Sequence, residues 1–472
     1  MSVPSSSQKM EGREATRKSP VTYPLWHPHV PLNAMEERVT ILVEGKGCKV
    51  KDNRGKEYID ASGGLWNTHC GLGNAEINQA ISDQLQRLAY GTLFAWRGNQ
   101  PALDLARELA AMGPSPLQWV YLTGSGSESV ELALKIARLY NQLRGGANDK
   151  DIVYLDESYH GTFFGSMSVS GLARQKEVGP LLPGVSSIST PNIERCPPNM
   201  SYADFALSCA KELEDKAIEG GVTAFIVEPI IASAGVIIPP VEYFRRVEEI
   251  CRKFDILLIL DEVATGFGRT GRWFAAEHYD LHPDILLLSK GLTSGYLPLG
   301  AVLFSEEIGE LLMKHGASLC HGSTNNGHPV CCAAALATIR IIRRDHLVER
   351  SAELGQYFRT RLEELTSLPM FGSVRSLGLM LGLVLTQDDG TPATPRQRFH
   401  VFLSLKEEGI LAYLAGNSLV FCPAFVITHE EIDTIVLRLR QVLSSLSLQG
   451  GIVETRSQAR SQSESWHADA NS

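Results

Sequence analysis

The sequence predicts an α/β protein with a mostly parallel central sheet. Three short apolar runs end directly in Glu228, in Asp261 and in the pair Ser289-Lys290, and stretches with helical spacing lie between them. Apolar runs of this length are typical of strands that are buried on both faces, and their alternation with helices favours parallel pairing. Ligands of such sheets bind beyond the carboxyl ends of the strands, so we expect the charged residues to converge on one cleft.

The size and charge of the chain exclude several classes of protein. A chain of 472 residues should hold one large domain and at least one smaller one. The formal net charge of -9 argues against a nucleic-acid partner. No apolar run approaches the roughly 18 residues that a membrane span needs. The nine cysteines show no CxxC or metal-like spacing, which predicts reduced thiols, no metal site and a cytoplasmic protein.

Lys290 is the residue on which the functional argument depends. An isolated lysine at a strand end is most often a residue whose amine simply reaches solvent. In a desolvated pocket, however, the amine can lose its proton and attack a carbonyl to form a Schiff base. Asp261, which ends the preceding apolar run, supplies the acid that pyridoxal phosphate also needs, because a carboxylate stabilises the protonated pyridine nitrogen. The pair therefore indicates a pyridoxal-phosphate site.

A glycine-rich turn upstream is a candidate for binding the phosphate. The apolar run Trp119–Leu122 leads into Thr123-Gly124-Ser125-Gly126-Ser127-Glu128-Ser129, and a helix follows. A helix N-terminus presents free N–H groups and a positive dipole end to an anion. Two other interpretations are an ordinary capped turn and a dinucleotide-binding turn with Asp156 as its acid. The dinucleotide interpretation is weak, because Ser129 stands at the third glycine position.

Two segments carry a resemblance to a known family. Asp261-Glu262-Val263 continues to Gly266-Phe267-Gly268-Arg269-Thr270-Gly271, and Ser289-Lys290-Gly291 continues to Gly300. Here the chain resembles the class III, or omega, aminotransferases, and among them the amine and omega-amino acid:pyruvate enzymes. The resemblance extends from roughly Tyr23 to Leu446. It implies the type I fold of pyridoxal-phosphate enzymes, with a large domain, a smaller α+β domain from both chain ends, and a homodimer with shared active sites.

The resemblance also implies a reaction and a set of site residues. The reaction is ping-pong transfer of an amino group, through a lysine aldimine on Lys290, between a primary amine or omega-amino compound and a keto acid such as pyruvate. The implied cofactor-binding residues are Ser125, Gly126, Ser127, Tyr159, Glu228, Asp261, Val263, Lys290 and Thr324. Tyr159 and Val263 are expected on the two faces of the cofactor ring, and Thr324 at the phosphate of the neighbouring subunit. The implied substrate-pocket residues are Trp66, Leu93, Phe94, Ser233 and Tyr413.

Several of these residues keep a second interpretation. Trp66 could equally be a core anchor, and Leu93 and Phe94 could form the core of a dimer interface. The loop of Thr324 could simply cap a helix, and Glu228 could brace the site without touching the cofactor. His160, which follows Tyr159, is interpreted as a positioning residue rather than as an acid or base.

One departure from the family concerns the carboxylate of the substrate. Relatives that accept alpha-amino acids carry an arginine in the C-terminal domain, and Tyr413 stands at that position here. The 4-aminobutyrate and ornithine types carry an arginine after His-Gly, and that position is Thr162. We therefore expect a bulky amine or ketone without a nearby carboxylate. Another arginine, for instance Arg97 or Arg174, is expected to serve the keto acid.

The predicted domain boundaries follow from composition and from the resemblance. They are a disordered segment over 1–20, an N-terminal arm with part of the small domain over 21–75, a large cofactor-binding domain over 76–343, a C-terminal small domain over 344–448 and a disordered tail over 449–472. The aromatic and proline-rich segment Tyr23–Pro31 could be an irregular arm packed on the body, and the resemblance implies that it also covers the mouth of the site. Within the C-terminal domain, strands are expected near Gly378–Leu385 and Leu419–Cys422.

Other functions remain as alternatives. A decarboxylase or a racemase of the same fold would use the same lysine, whereas a nicotinamide-dependent oxidoreductase rests only on the imperfect glycine turn. A binding protein that has lost catalysis is disfavoured, because Lys290, Asp261 and Tyr159 are all present.

Overall fold

The structure is a computed structural model that describes residues 24–30, 39–114, 117–146, 151–172 and 178–448. The segments 1–20 and 449–472, which were expected to be disordered, lie outside the described residues. The chain divides into two units, 1–41 and 42–472. In the first unit, Trp26 Nε1 donates a hydrogen bond to the carbonyl of Val30 at 2.7 Å and closes a turn. The expected position of this segment over the site stays a prediction.

The described part of the second unit contains one central sheet and two small sheets. The strands are β1 (Leu42–Lys46), β2 (Lys49–Asp52), β3 (Glu57–Asp60), β4 (Leu117–Thr123), β5 (Asp151–Leu155), β6 (Val185–Ile188), β7 (Val222–Val227), β8 (Leu257–Asp261), β9 (Ile285–Leu288), β10 (Gly300–Ser305), β11 (Phe371–Leu377), β12 (Met380–Leu385), β13 (Ile410–Leu411), β14 (Tyr413–Ala415) and β15 (Ser418–Phe421). The central sheet has the order β4-β10-β9-β8-β7-β5-β6. Its strands β5 to β9 run parallel, and β10 is antiparallel to both of its neighbours. The predicted, mostly parallel sheet is therefore confirmed.

Helices connect the strands and flank the sheets. They are α1 (Gly63–Trp66, a single irregular turn), α2 (Ala75–Arg87), α3 (Gln100–Met112), α4 (Gly126–Leu143), α5 (Phe164–Ser168), α6 (Tyr202–Ile218), α7 (Val241–Phe254), α8 (Glu306–Lys314), α9 (Pro329–Arg344), α10 (Leu347–Glu363), α11 (Pro395–Glu407) and α12 (His429–Leu448). Hydroxyl side chains cap α4, α6 and α11 at Ser125, Ser201 and Thr394, which satisfies N–H groups that the helix itself leaves free. Among the described residues, no helix has the length and apolar character to cross a bilayer.

Alternate side chains of the central strands enter two separate apolar cores. In β8, Leu258 and Leu260 join the core that includes residues of α7, whereas Ile259 joins the core that includes the apolar stripe of α4. All three side chains are almost completely buried. Because successive strand residues point to opposite faces, burial on both faces requires a continuous apolar run. This requirement explains the pattern from which the strands were predicted.

The two small sheets draw on distant parts of the chain. One has the order β1-β2-β3-β13, and β13 pairs parallel to β3 with Ile410 opposite Ile59. The other has the order β11-β12-β15-β14. Strands near both chain ends therefore share one sheet, as the expected smaller α+β part requires. The domain boundaries themselves stay a prediction.

Candidate active site

Three neighbouring parallel strands bring Glu228, Asp261 and Lys290 to one edge of the central sheet. Glu228 follows β7, Asp261 is the last residue of β8, and Lys290 follows β9 after Ser289. Since β7, β8 and β9 are adjacent and parallel, their carboxyl ends lie side by side. The structure thus brings together the three residues that the sequence pattern singled out.

Lys290 combines an enclosed amine with a strained backbone. Burial lowers the pKa of the Lys290 amine, and the carboxylates of Asp261 and Glu228 oppose that shift. The Lys290 Nζ atom lies over the ring of Trp66, 5.1 Å from its centroid. The φ angle of Lys290 is 35°, a left-handed value that costs a non-glycine residue about 1–3 kcal/mol and that clusters at functional sites. The next residue is glycine because a Cβ atom on Gly291 would lie 2.0 Å from Cε1 of His69.

Asp261 is fixed by two hydrogen-bonding partners. Its Oδ2 atom lies 2.8 Å from Nδ1 of His160, and its Oδ1 atom accepts a hydrogen bond from the N–H of Val263 at 3.0 Å. Asp261 is 5% exposed and His160 is 2% exposed. A buried carboxylate held in this way keeps a defined orientation, which supports the interpretation of His160 as a positioning residue.

Glu228 braces the backbone around the site. Its Oε1 atom accepts a hydrogen bond from the N–H of Tyr159 at 3.0 Å, and its Oε2 atom accepts one from the N–H of Ala232 at 3.2 Å. Burial raises the pKa of Glu228 to about 7. Both oxygens are therefore used to hold the segments that carry Tyr159 and Ser233. The geometry favours the bracing interpretation of this glutamate.

The glycine-rich turn lies beside the same strand ends. A Cβ atom on Gly126 would lie 3.0 and 3.1 Å from the two methyl groups of Val263 and 3.6 Å from the Cβ atom of Ser289. The turn therefore approaches the end of β8 more closely than most side chains would allow, and it is in ordinary van der Waals contact with the end of β9. Ser125 caps α4 by accepting from the N–H of Glu128 at 3.2 Å. Among the hydrogen bonds of the described residues, none uses the N–H of Gly126 or of Ser127, so both groups are available to an anion.

Aromatic rings form the side of the site where a substrate is expected. Trp66 is 4% exposed and meets the ring of Tyr413 edge to face, with centroids 5.5 Å apart. Burial raises the pKa of Tyr159, and the charges of Tyr413, Asp261 and Glu228 act on it in the same direction. These residues are therefore close neighbours. Ser233 lies in the loop after β7, which is closed by an isolated bridge between Ile231 and Ile237.

Leu93, Phe94 and Thr324 lie together on an exposed surface. The side chains of Leu93 and Phe94 are 37% and 52% exposed. Both side chains pack against glycines of the Thr324 loop. A Cβ atom on Gly327 would lie 2.4 Å from Leu93, and a Cβ atom on Gly322 would lie 2.8 Å from Phe94. Tyr90 OH donates a hydrogen bond to the carbonyl of Thr324 at 2.8 Å. Within the described residues, none of the recorded bonds of these side chains reaches Lys290 or Asp261.

The structure gives few contacts for the residues that were considered as binding partners of a substrate carboxylate. Arg97 is exposed next to Phe94, whose carbonyl accepts from its N–H at 3.3 Å, and Arg174 lies outside the described residues. Thr162 is exposed, and its N–H donates to the hydroxyl of Ser127 at 3.3 Å. No arginine side chain is therefore seen at either of the two positions used by the relatives.

Sequence reasoning missed Glu128 and Asn326. Glu128 Oε2 accepts a hydrogen bond from the N–H of Gly124 at 2.9 Å, and Glu128 Oε1 accepts one from Nδ2 of Asn326 at 2.9 Å. A serine followed three residues later by a glutamate is the pattern of a capping box, and Ser125 and Glu128 fit that pattern. This signal could have identified Glu128 as a residue that organises the turn.

The residues at the edge of the sheet match the three functional groups of pyridoxal phosphate. The buried amine of Lys290 can react with an aldehyde, and the fixed carboxylate of Asp261 can pair with a pyridine nitrogen. Two unused N–H groups at the N-terminus of α4 can bind a phosphate. Fold and site together define a pyridoxal-phosphate enzyme of the type I fold.

Comparisons with known proteins agree with this definition. The sequence model of the family "Aminotransferase class-III" matches residues 33–443. The putrescine–pyruvate aminotransferase of Pseudomonas aeruginosa is 35% identical over 420 residues, covering 86% of this chain and 91% of that protein. The omega-aminotransferase of Caulobacter vibrioides is 34% identical over 431 residues, covering 89% of this chain and 97% of that protein.

Solved structures give the same result. The (S)-enantioselective omega-transaminase from Thermomicrobium roseum superposes with a TM-score of 0.85 at 35% identity, covering 89% of this chain and 96% of that chain. The omega transaminase from Pseudomonas jessenii in complex with PMP superposes with a TM-score of 0.86 at 33% identity, covering 90% of this chain and 98% of that chain. The chain belongs to the class III aminotransferase family. It is a pyridoxal-phosphate-dependent aminotransferase that acts on amine and keto-acid substrates, and the alternative functions considered from the sequence are not favoured.

Proposed function

We propose that Lys290 holds pyridoxal phosphate covalently and moves the proton during transamination, while Asp261 holds the charge at the ring nitrogen. When bound, pyridoxal phosphate supplies an electron sink that acidifies the carbon next to the substrate nitrogen. Burial lowers the pKa of the Lys290 amine, which favours the unprotonated form that a general base requires. The His160 contact keeps the Asp261 carboxylate in one orientation, so its oxygens are in place before the ring arrives.

The other cofactor contacts follow from where the structure puts the glycine turn. The N–H groups of Gly126 and Ser127, with the hydroxyl groups of Ser125 and Ser127, would bind the phosphate at the N-terminus of α4. Tyr159 would cover one face of the ring and Val263 the other. The close approach of Gly126 to Val263 supports this arrangement, because it leaves the turn directly beside the end of β8. Glu228 would act by holding the backbone of Tyr159.

We infer that the amino donor is an amine without a nearby carboxylate and that the acceptor is a keto acid such as pyruvate. The observation that carries this inference is the edge-to-face contact of Tyr413 with Trp66, since Tyr413 stands where relatives place a carboxylate-binding arginine. An aromatic wall favours apolar or extended amines and offers no bidentate partner to a carboxylate. Arg97, exposed beside Phe94, is the described candidate for the carboxylate of the keto acid.

A substrate panel tests this proposal. The purified enzyme with pyruvate is given putrescine, an aryl-alkyl amine, beta-alanine or 4-aminobutyrate, and alanine formation is followed. The two amines should be preferred by kcat/KM, and Tyr413→Arg should raise kcat/KM for beta-alanine by roughly 10-fold or more relative to the amines. Tyr413→Leu is the matched control, because it removes the ring without adding a charge. Strong preference of the wild-type enzyme for the two amino acids would contradict the proposal.

We also propose that the enzyme is a homodimer with shared sites. Leu93 and Phe94 line an open, largely apolar groove of about 590 Å³ together with Leu103, Val120 and Leu122. Exposed apolar surface of this kind is typical of an interface, and the resemblance places the loop of Thr324 at the neighbouring subunit. Sedimentation should give a dimer, and Phe94→Asp should shift the protein towards monomers. Met313→Asp, at a similarly exposed methionine on α8, should leave the dimer intact. A monomeric wild-type enzyme with full activity would contradict the homodimer.

A further inference from the structure

We propose that Glu128 is a positioning residue that ties the phosphate-binding turn of one subunit to the loop that reaches the other subunit's site. This inference deepens the proposed function and rests on its homodimer. Its central observation is that the two oxygens of one carboxylate serve two different segments of the chain.

Glu128 lies in the first turn of α4, and its side chain is only 14% exposed. Its Oε2 atom accepts from the N–H of Gly124 at 2.9 Å, within the phosphate-binding turn. Its Oε1 atom accepts from Nδ2 of Asn326 at 2.9 Å, and Nε2 of His321 lies 3.5 Å from the same oxygen. Because water screens these contacts little, each is worth more than a comparable contact on the surface.

Asn326 extends this connection through the loop that carries Thr324. Its Nδ2 atom also donates to the carbonyl of Leu122 at 3.0 Å, at the end of β4, and its Oδ1 atom accepts from the N–H of Ser323 at 3.0 Å. Asn326 is 4% exposed. The Glu128–Asn326 pair therefore links the phosphate-binding turn to Ser323 and Asn326, which enclose Thr324 and Asn325 in the loop.

The charge of Glu128 makes the proposal testable, because two explanations of its role predict opposite changes in cofactor affinity when the charge is removed. A carboxylate at the N-terminus of a helix is favourable when no ligand is bound, but it repels a phosphate at the same helix end. If Glu128 acted through its charge alone, removing that charge would tighten cofactor binding. If Glu128 holds the turn and the loop in place, removing one of its acceptor oxygens weakens cofactor binding despite the loss of repulsion.

The first test is Glu128→Gln. The amide keeps the shape but has only one acceptor oxygen, whereas the two groups that hydrogen-bond to Glu128, the N–H of Gly124 and the NH₂ of Asn326, are both donors. We expect the dissociation constant of pyridoxal phosphate, measured from cofactor absorbance on dilution of the holoenzyme, to rise roughly 10-fold or more. Turnover at saturating cofactor should change much less. An unchanged or smaller dissociation constant would overturn the proposal.

Glu242→Gln is the matched control. Glu242 lies in the first turn of α7, is exposed, and loses the same charge, so this variant should bind the cofactor as the wild type does. If Glu128→Gln does not fold, Asn326→Ala provides a second test, because it removes only the loop side of the connection. It should also raise the cofactor dissociation constant, and wild-type affinity in this variant would overturn the proposal.

Mixed dimers test the connection between subunits. One chain carries Glu128→Gln together with Lys290→Ala, and its partner is wild type. The only site that retains Lys290 therefore belongs to the wild-type chain. We expect this site to release pyridoxal phosphate faster than the same site in a dimer that carries Lys290→Ala alone. Equal release rates would overturn the proposed connection between the subunits. A failure of the homodimer itself would appear separately, as a monomer in sedimentation.

Discussion

Two regions of the molecule are built in opposite ways. One is the strand-end site, which consists of Glu228, Asp261 and Lys290. The other is the partner-facing surface, which consists of Leu93, Phe94 and the loop of Thr324. Glu228 and Asp261 are 4% and 5% exposed, and every hydrogen bond described above for them is made within one chain. Leu93 and Phe94 are 37% and 52% exposed, and they pack against the loop of Thr324. The hydrogen bonds that fix the first region lie within a single chain, whereas the second is an open surface whose proposed role needs a second copy.

This difference separates two kinds of defect. A change in the strand-end site should remove chemistry and leave the assembly intact. A change in the partner-facing surface should weaken assembly or cofactor binding and leave the chemical groups in place. The following experiments test that separation.

The largest expected effect is the loss of the Lys290 amine. Lys290→Ala removes both the group that holds the cofactor and the proposed base, so kcat/KM should fall by roughly 10³-fold or more. Sedimentation should show an unchanged assembly. Lys314→Ala, at an exposed lysine that ends α8, is the control and should retain wild-type kinetics. Residual turnover in Lys290→Ala close to that of the control would break the assignment.

The next effect concerns carboxylates at opposite ends of the same strands. Asp261→Asn removes the charge that pairs with His160, and kcat should fall by roughly 10²- to 10³-fold with the assembly unchanged. Asp284 stands just before β9, at the opposite end of the sheet, and accepts from the N–H of Leu258 at 2.7 Å. Asp284→Asn should change stability but not kcat. Equal losses of kcat in Asp261→Asn and Asp284→Asn would contradict the placement of the active site at the carboxyl ends of the strands.

A smaller effect is expected on the partner-facing surface. Thr324→Val removes the hydroxyl that the resemblance assigns to the neighbouring subunit's phosphate, so the cofactor dissociation constant should rise roughly 10-fold. Turnover at saturating cofactor should stay near the wild-type value. Ser323→Ala removes the adjacent hydroxyl and should have no such effect. If Thr324→Val lost turnover without losing cofactor affinity, the contrast between the two regions would not hold.

The smallest effect is a dependence of stability on pH. Burial raises the pKa values of Glu228 and Glu262 to about 7 from the ordinary glutamate value of 4.5. Between these pH values the folded protein binds more protons than the unfolded one. The free energy of unfolding therefore falls as the pH rises towards 7, by up to about 3 kcal/mol per group.

Denaturant unfolding of the Gln variants checks this sign. Replacement of either glutamate by Gln should cost more stability at pH 5 than at pH 8. Only Glu228→Gln should also change kcat, because Glu228 holds the backbone of Tyr159, whereas Glu262 holds Ala275, Ala276 and Thr265. A cost that grows with pH would contradict the protonated state inferred for these buried acids.

The strand ends could be predicted from sequence because their signal is local. Burial on both faces forces a continuous apolar run, and the charge that follows marks the carboxyl end, so Asp261 and Lys290 were found without knowledge of the contacts. The positioning role of His160 stays a prediction, and its partner Asp261, which lies 101 residues away, is revealed only by the fold.

Other features depend on contacts that no local pattern specifies. In the C-terminal part, strands were expected near 378–385 and 419–422, but β11, β13 and β14 were not. β13 has two residues and exists only because it pairs with β3, far away in the chain. Likewise, Asn326 became visible as a site residue only through its bond to Glu128, which is 198 residues distant. The roles of Leu93, Phe94 and Thr324 stay predictions, because they depend on a second chain.

The most direct test of the central claim is to locate the covalent attachment point of the cofactor. The purified enzyme is reduced with borohydride and digested, and mass spectrometry identifies the lysine that carries the phosphopyridoxyl group. The account predicts one labelled peptide, with the label on Lys290 and no label in Lys290→Ala. A label on another lysine, or no label on an active enzyme, would contradict the claim that the amine after β9 holds the cofactor.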